Sequence, residues 1–168
     1  MSFVEDLRAH REGILAQGFW AIRVHRLASS RQNYKSKIIR VPWFVLNCVL
    51  RKIVEVLSGI SIGEGALIGR RVQIEHFGQI IIHGNAKIGD DVLIRQGVTI
   101  GNKDADRPFE APIIGDRVQI GAGAKIIGGV VIGSDSIIGA NAVVTKDVPP
   151  GFVATGVPAT CRPRRISS

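Results

Sequence analysis

The chain has 168 residues with 22 Lys and Arg against 14 Asp and Glu, a net charge of +8, and 45% hydrophobic residues. That fits one domain, or one domain with a short appendage. Two cysteines far apart in sequence, Cys48 and Cys161, exclude a disulfide framework and a CxxC metal site and suit a reducing compartment. The acidic start from Met1 to Asp6 lacks the basic and apolar regions of a signal peptide, and the longest apolar stretch, Val41 to Leu50, falls short of the roughly 20 residues that cross a bilayer. The expectation is a cytoplasmic protein that does not span a membrane.

Residues 1–58 read as an N-terminal helical capping region. The first 60 residues hold ten Lys and Arg against four Asp and Glu, and six of the nine aromatic residues. Phe19 to Leu27 reads as one amphipathic helix. Val41 to Leu57 reads as another, apolar on one side with Arg51, Lys52 and Glu55 on the other. Their simplest role is to pack on the domain that follows and hide its open edge. The alternative is peripheral contact with the inner face of an anionic membrane, since the front is basic and carries Trp. Positive charge confined to the front, without interleaved aromatic and basic residues beyond it, argues against nucleic acid as a partner.

From residue 59 to 160 the pattern changes to a period of six. Ile or Val recurs at Ile62, Ile68 and Ile74, at Ile82, Ile88, Ile94 and Ile100, and at Ile114, Ile120, Ile126, Ile132, Ile138 and Val144. A mostly small or β-branched residue follows four places later, as in Ala66, Val72, Ala86, Val92, Val98, Val118, Ala124 and Ala142. Neither a helix nor a plain strand has this period. It fits a triangular coil in which each hexad gives one short flat face and one turn, the aliphatic residue pointing inward and Gly, Asn or Asp serving the turn. The fold class expected is therefore an all-β solenoid, a parallel β-helix preceded by a short α-helical region, with a basic tail at 161–168.

The period breaks twice. Eight residues separate Ile74 from Ile82 and fourteen separate Ile100 from Ile114. The longer break, a polar segment with Pro108 and Pro112, is expected to leave the prism as a loop at 102–113. The shorter one contains Glu75-His76-Phe77-Gly78. An imidazole titrating near 6.5 can take the proton of a weakly nucleophilic hydroxyl, which makes His76 the candidate base; the competing reading is a solvent-facing turn residue. His76 and His83 lack cysteine or carboxylate partners at ligand spacing, so no metal site is expected. The four scattered His residues do not supply a γ-carbonic-anhydrase-like site either.

The runs Ile74-Glu75-His76-Phe77-Gly78, Arg95-Gln96-Gly97-Val98-Thr99-Ile100-Gly101 and Ile120-Gly121-Ala122-Gly123-Ala124-Lys125, closed by Ala154-Thr155-Gly156-Val157-Pro158-Ala159, resemble the serine acetyltransferase family and related enzymes that acetylate capsule, exopolysaccharide or colanic-acid sugars. The resemblance implies a left-handed coil, a homotrimer, acetyl-CoA as acyl donor in a groove between neighbouring prisms, and His76 as the catalytic histidine. Glu75 is the candidate to orient the ring, although adjacent strand residues face opposite ways. Backbone amides near Gly97 or Gly121-Ala122-Gly123 are candidates for oxyanion stabilisation. Ala122 and Ala140 stand where similar enzymes hold the pantetheine arm, and Gly97, Gly123, Lys125, Lys146, Arg162, Arg164 and Arg165 complete the CoA candidates, the cations for its phosphates. Ser61, His83 and Arg95 are the acceptor-binding candidates, His83 being alternatively an exposed turn.

Two departures bear on the acceptor. Ser61 stands where the serine-specific enzymes carry Asp, and Ala111 where they carry His. A zwitterion would lose partners at roughly 1–3 kcal/mol each. The expectation is therefore acetyl transfer to a sugar hydroxyl of a glycan, with L-serine as the alternative and a non-catalytic binding scaffold as the reading from another class. The helical region is shorter than the one that pairs trimers into hexamers in those enzymes, so a trimer is expected.

Overall fold

The computed structural model describes residues 3–29 and 37–164, with side chains from residue 41 in the second stretch. Three helices precede the solenoid: α1 (Phe3–Ala9), α2 (Gln17–Ser29) and α3 (Lys37–Ser58), with a short 3-10 turn at Gly13–Leu15. The first coil is β1 (Ile60–Ile62), β2 (Leu67–Ile68) and β3 (Gln73–Glu75), and the second is β4 (Ile80–Ile82), β5 (Lys87–Ile88) and β6 (Leu93–Arg95). The third is β7 (Thr99–Gly101), β8 (Ile113–Ile114) and β9 (Gln119–Ile120), and the fourth β10 (Lys125–Ile127), β11 (Val131–Ile132) and β12 (Ile137–Ile138). The last contains β13 (Val143–Val144) and β14 (Phe152–Thr155), and β15 (Thr160–Pro163) folds back antiparallel on β14.

Every third strand stacks in parallel, so the chain builds three flat faces of a left-handed prism. The thirteen periodic residues become three inward columns. Ile62, Ile82, Ile100, Ile126 and Val144 line the first face, Ile68, Ile88, Ile114 and Ile132 the second, and Ile74, Ile94, Ile120 and Ile138 the third. All are buried. At about 1.5–3 kcal/mol for each fully buried aliphatic side chain, these columns are the main favourable term in the fold. The second set of the period fills the corners from inside, with Ala86, Val92, Val98, Val118, Ala124 and Ala142 at 0% exposure.

The corner between the second and third faces shows how the turns are held. Arg71, Asp91, Arg117 and Asp135 sit one above another with left-handed backbone, at φ 52°, 57°, 55° and 64°. Their alternating charges pair along the stack, Arg71 with Asp91 at 2.6 Å and Arg117 with Asp135 at 2.7 Å. Beside them, the carboxylates of Asp90 and Asp116 accept from the backbone N–H of Arg70 and Asp90. These pairs are exposed and screened by solvent, so they add little to stability and mainly fix the register of successive coils.

The top of the prism is closed by α2, whose Ala21 and Ile22 join the core cluster. Asp6 of α1 is 1% exposed and ion-paired to Arg23 at 3.2 Å and Arg26 at 3.0 Å, while Arg26 also donates to the carbonyls of Ile68 and Gly69. One buried carboxylate thus locks α1, α2 and the first coil together. The expected packing of α3 is reversed. Its protein-facing stripe is Asn47, Arg51, Val54, Glu55 and Ser58, whereas Val41, Val45, Val49, Ile53, Val56 and Leu57 face outward. The reversal has a local cause: Arg51 donates to the Ile62 carbonyl and the Ser58 hydroxyl accepts from the Ile60 N–H, bonds that only a polar stripe can make to the edge of β1. Among the described residues, no helix is long and apolar enough to cross a membrane.

Candidate active site

The eight-residue break falls at the corner between the third and first faces. In the coil below, Arg95 is followed by Gln96, Gly97 and Val98 before the first face resumes at Thr99. In the top coil, Glu75, paired with Arg95, is separated from Ile81, paired with Thr99, by His76, Phe77, Gly78, Gln79 and Ile80. Ile80 takes the inward corner place and is fully buried, while Gly78, which the six-residue period assigns to it, is not. Two surplus residues must therefore leave the prism. They are accommodated by left-handed backbone at His76 (φ 64°), Gly78 (φ 103°) and Gln79 (φ 56°), which leaves His76 exposed and Phe77 62% exposed.

His76 faces an open cleft of about 700 Å³ whose far wall is the N-terminal segment, through His10, Arg11, Glu12 and Gln17. That wall is fixed by two contacts. Gly18, at the start of α2, lies so close to Ile74 that an added Cβ would stand 2.5 Å from the Ile74 carbonyl oxygen. His10 is buried between the two elements, its Nδ1–H donating to the Asp6 carbonyl at 2.9 Å and its Nε2 accepting from the Ile74 N–H at 3.3 Å. Burial holds His10 below the usual imidazole value of 6.5, offset in part by the Asp6 carbonyl and charge. His10 is thus a neutral structural wedge. Gln96, one coil below His76, also lines the cleft, and its buried side-chain oxygen has no hydrogen-bond partner among the described residues.

The structure separates the remaining candidates. Glu75 does not turn to His76; its carboxylate accepts from the Arg95 Nε at 3.2 Å, so one ion pair engages both residues at the rim of the cleft. Ser61 lies in the middle of β1, beside Arg51 and Glu55 of α3 and away from His76. His83 occupies the corner between the first and second faces, a half-buried turn residue whose Nδ1 accepts from the Asn85 N–H at 3.1 Å. His76 and His83 stand on different corners and share no site. The long loop, spanning 102–112, leaves that same corner, tied to it by Asn85 donating to the Phe109 carbonyl and internally by Arg107 to Asp104 and Glu110.

Gly97, Ala122, Gly123 and Ala140 line up down the His76 corner. The N–H groups of Gly97, Gly121 and Gly123 are spent on coil-to-coil bonds, to Gly78, Ile138 and Gln96 carbonyls, so they are not open to an oxyanion. Among the described residues, the amides of Ala122 and Ala140 carry no such bond. The order has a steric reason: the last corner place needs φ near 70° and close stacking, and a Cβ on Gly123 would meet Asn141. The Lys125 ammonium donates to the Gly97 carbonyl and to Thr99 Oγ1 at 3.1 Å. It braces the corner through these two bonds. Lys146 lies exposed on the next corner round, Arg162 and Arg164 lie on and after β15, and Arg165 is outside the described residues.

Arg11, Glu12, Gln17 and Gln96, which line the cleft with His76, are not among the residues that the sequence pattern singles out. The first three lie in a segment without periodicity, and nothing in it signals which corner it will cover. Comparison with known proteins places this geometry. Residues 111–146 match the family described as bacterial transferase hexapeptide (six repeats). The chain is 52% identical over 103 residues to a serine acetyltransferase of Mycobacterium tuberculosis, covering 61% of itself and 45% of that protein. It is 36% identical over 146 residues to the Helicobacter pylori serine acetyltransferase, covering 87% of itself and 81% of that protein. The soybean serine acetyltransferase complexed with serine superposes with a TM-score of 0.81 at 31% identity, covering 95% of this chain and 68% of that one. A serine acetyltransferase in complex with CoA superposes with a TM-score of 0.75 at 33% identity, covering 89% of this chain and 58% of that one. The chain thus spans less than half the length of one such relative and about four fifths of another. The six-residue period, the bulged histidine and these likenesses agree: the chain belongs to the serine acetyltransferase family of hexapeptide-repeat proteins.

Proposed function

We propose that the chain is an acetyl-CoA-dependent O-acetyltransferase in which His76 is the general base. The observation that carries this reading is the two-residue surplus that lifts His76 out of the prism into an open cleft. An acceptor hydroxyl in the cleft gives its proton to the imidazole as its oxygen attacks the thioester carbonyl. When the carbon–sulfur bond breaks, His76 returns the proton to the departing sulfur. The carbonyl of the donor is reached from the corner ladder, where the amides of Ala122 and Ala140 are open to hydrogen-bond a pantetheine arm. The fit of a CoA donor is also supported by the family's CoA complex.

For the acceptor, the relatives turn the expectation from a sugar to L-serine. The cleft supports serine independently: its wall carries Glu12 for an ammonium and Arg11 for a carboxylate, which replaces the partners that Ser61 and Ala111 do not supply. A sugar hydroxyl remains as a second reading, favoured by Ser61 and Ala111 themselves and by a cleft whose roughly 700 Å³ is ample for a sugar ring. Release of free thiol from acetyl-CoA separates the two. Turnover with L-serine and none with an oligosaccharide panel supports the first reading, the opposite pattern supports the second, and thiol release that survives His76→Ala overturns the mechanism. A trimer is also proposed. The outward column of the second face, Leu67, Lys87, Ile113 and Val131, holds three aliphatic residues that are 60%, 42% and 44% exposed, a surface suited to a neighbouring prism, and light scattering on the purified chain tests it.

A further inference from the structure

An amphipathic helix on a globular domain ordinarily buries its apolar stripe and shows its polar one. In α3 the arrangement is inverted. Asn47 and Ser58 are buried and Arg51, Val54 and Glu55 half-buried against α2 and β1. Val41, Val45, Val49, Ile53, Val56 and Leu57 are 48–75% exposed. Their spacing of three and four residues makes one continuous stripe, about 24 Å long at 1.5 Å per residue. An apolar strip of that length on the surface calls for an apolar partner.

We propose that α3 docks the protein on an anionic membrane surface, lying parallel to the bilayer with this stripe in the boundary between headgroups and acyl chains. The choice of occupant follows from charge. The sequence of α3 holds four basic residues, Lys37, Arg40, Arg51 and Lys52, against the single acid Glu55, which is itself paired to Lys52 at 2.7 Å. The first 60 residues hold ten basic residues against four acidic. A second copy stacked on the stripe brings the same positive charge and is repelled, whereas anionic lipid brings the opposite sign. The helix joins an exposed apolar stripe to an excess of three positive charges in its sequence, four basic residues against one acidic, and holds no membrane-spanning stretch. This inference does not depend on which acceptor the cleft takes.

The test is co-sedimentation of the full chain with vesicles of phosphatidylcholine alone and of phosphatidylcholine with about one third phosphatidylglycerol. The intact protein is expected to pellet with the anionic vesicles and to be released by added salt. The triple variant Val45→Glu/Val49→Glu/Ile53→Glu is expected to partition at least about tenfold less, with unchanged circular dichroism. Cys48, exposed on the same helix, gives a readout that leaves the stripe intact. A polarity-sensitive dye on it, in a Cys161→Ser background, is expected to shift to the blue with anionic vesicles only. A dye that does not respond, an intact protein that stays in the supernatant, or a triple variant that still pellets overturns the proposal. So does a triple variant of smaller mass by light scattering, which assigns the stripe to a contact between copies of the chain.

Discussion

Gly18→Ala tests whether the N-terminal segment walls the acceptor cleft or only caps the prism. An added Cβ would lie 2.5 Å from the Ile74 carbonyl oxygen and 2.6 Å from the Ile74 Cβ, and the oxygen belongs to backbone that cannot swing aside. To reach ordinary contact the start of α2 has to retreat by roughly 1 Å. Overpacking of this kind costs about 1–3 kcal/mol. At about 2–4 °C per kcal/mol for a chain of this size, the melting temperature should fall by roughly 2–12 °C. Ile74 lies two residues before His76, and Gln17, Glu12 and Arg11 lie on the moving side of the cleft. A displacement of that size can cost about 100-fold in a positioned reaction. Steady-state kinetics should therefore show a rise in KM for the acceptor of about ten- to 100-fold with KM for acetyl-CoA unchanged. Gly101→Ala, where the nearest atom is 4.0 Å away, is the matched control and should alter neither. A Gly18→Ala protein that melts lower but binds its acceptor normally would falsify the wall and leave a simple cap.

Other perturbations separate chemistry from scaffold. His76→Ala should lower kcat by about 100- to 10,000-fold with the melting temperature unchanged, because the ring is exposed and makes no core contact; a large loss of stability would reassign the residue to structure. Ile120→Ala should cost about 2–5 kcal/mol in chemical denaturation, since Ile120 is 1% exposed in the middle of the third column. Asp91→Asn removes one exposed ion pair of the corner ladder and should cost about 1 kcal/mol or less, fading in high salt. His25 is buried with its Nε2–H donating to the Ala66 carbonyl, and burial holds it below its usual value, as it does His10. The unfolded chain then takes up protons below about pH 6.5 that the folded chain excludes, so stability should fall with decreasing pH by up to about 1.4 kcal/mol per unit for His25. His25→Gln should flatten that slope in urea titrations between pH 7 and about 5; an unchanged slope would show that His25 is protonated in the fold.

How much of this was legible in the sequence follows from how far each signal reaches along the chain. The coil was legible because its cause is local and repeated: an inward aliphatic residue and a turn residue recur every six places, and stacking identical units leaves one register. His76 was legible for the same reason, as the place where that register gains two residues that have nowhere to go but outward. The roles of Glu75, Arg95, Ser61 and Lys125 were not. Their side chains can reach several partners, and only the stacking of coils brings Arg95 beneath Glu75 and the Gly97 carbonyl within reach of Lys125. The N-terminal helices were legible as amphipathic elements, but their orientation was not. The hydrophobic pattern of α3 foretells an inward apolar face, and the open carbonyl of Ile62 and N–H of Ile60 at the first coil draw its polar stripe inward instead. Periodicity by itself therefore determined the prism and the position of its histidine. Only the tertiary structure decided which wall faces that histidine and which face of α3 meets the solvent, because both depend on contacts between segments that no single stretch of sequence records.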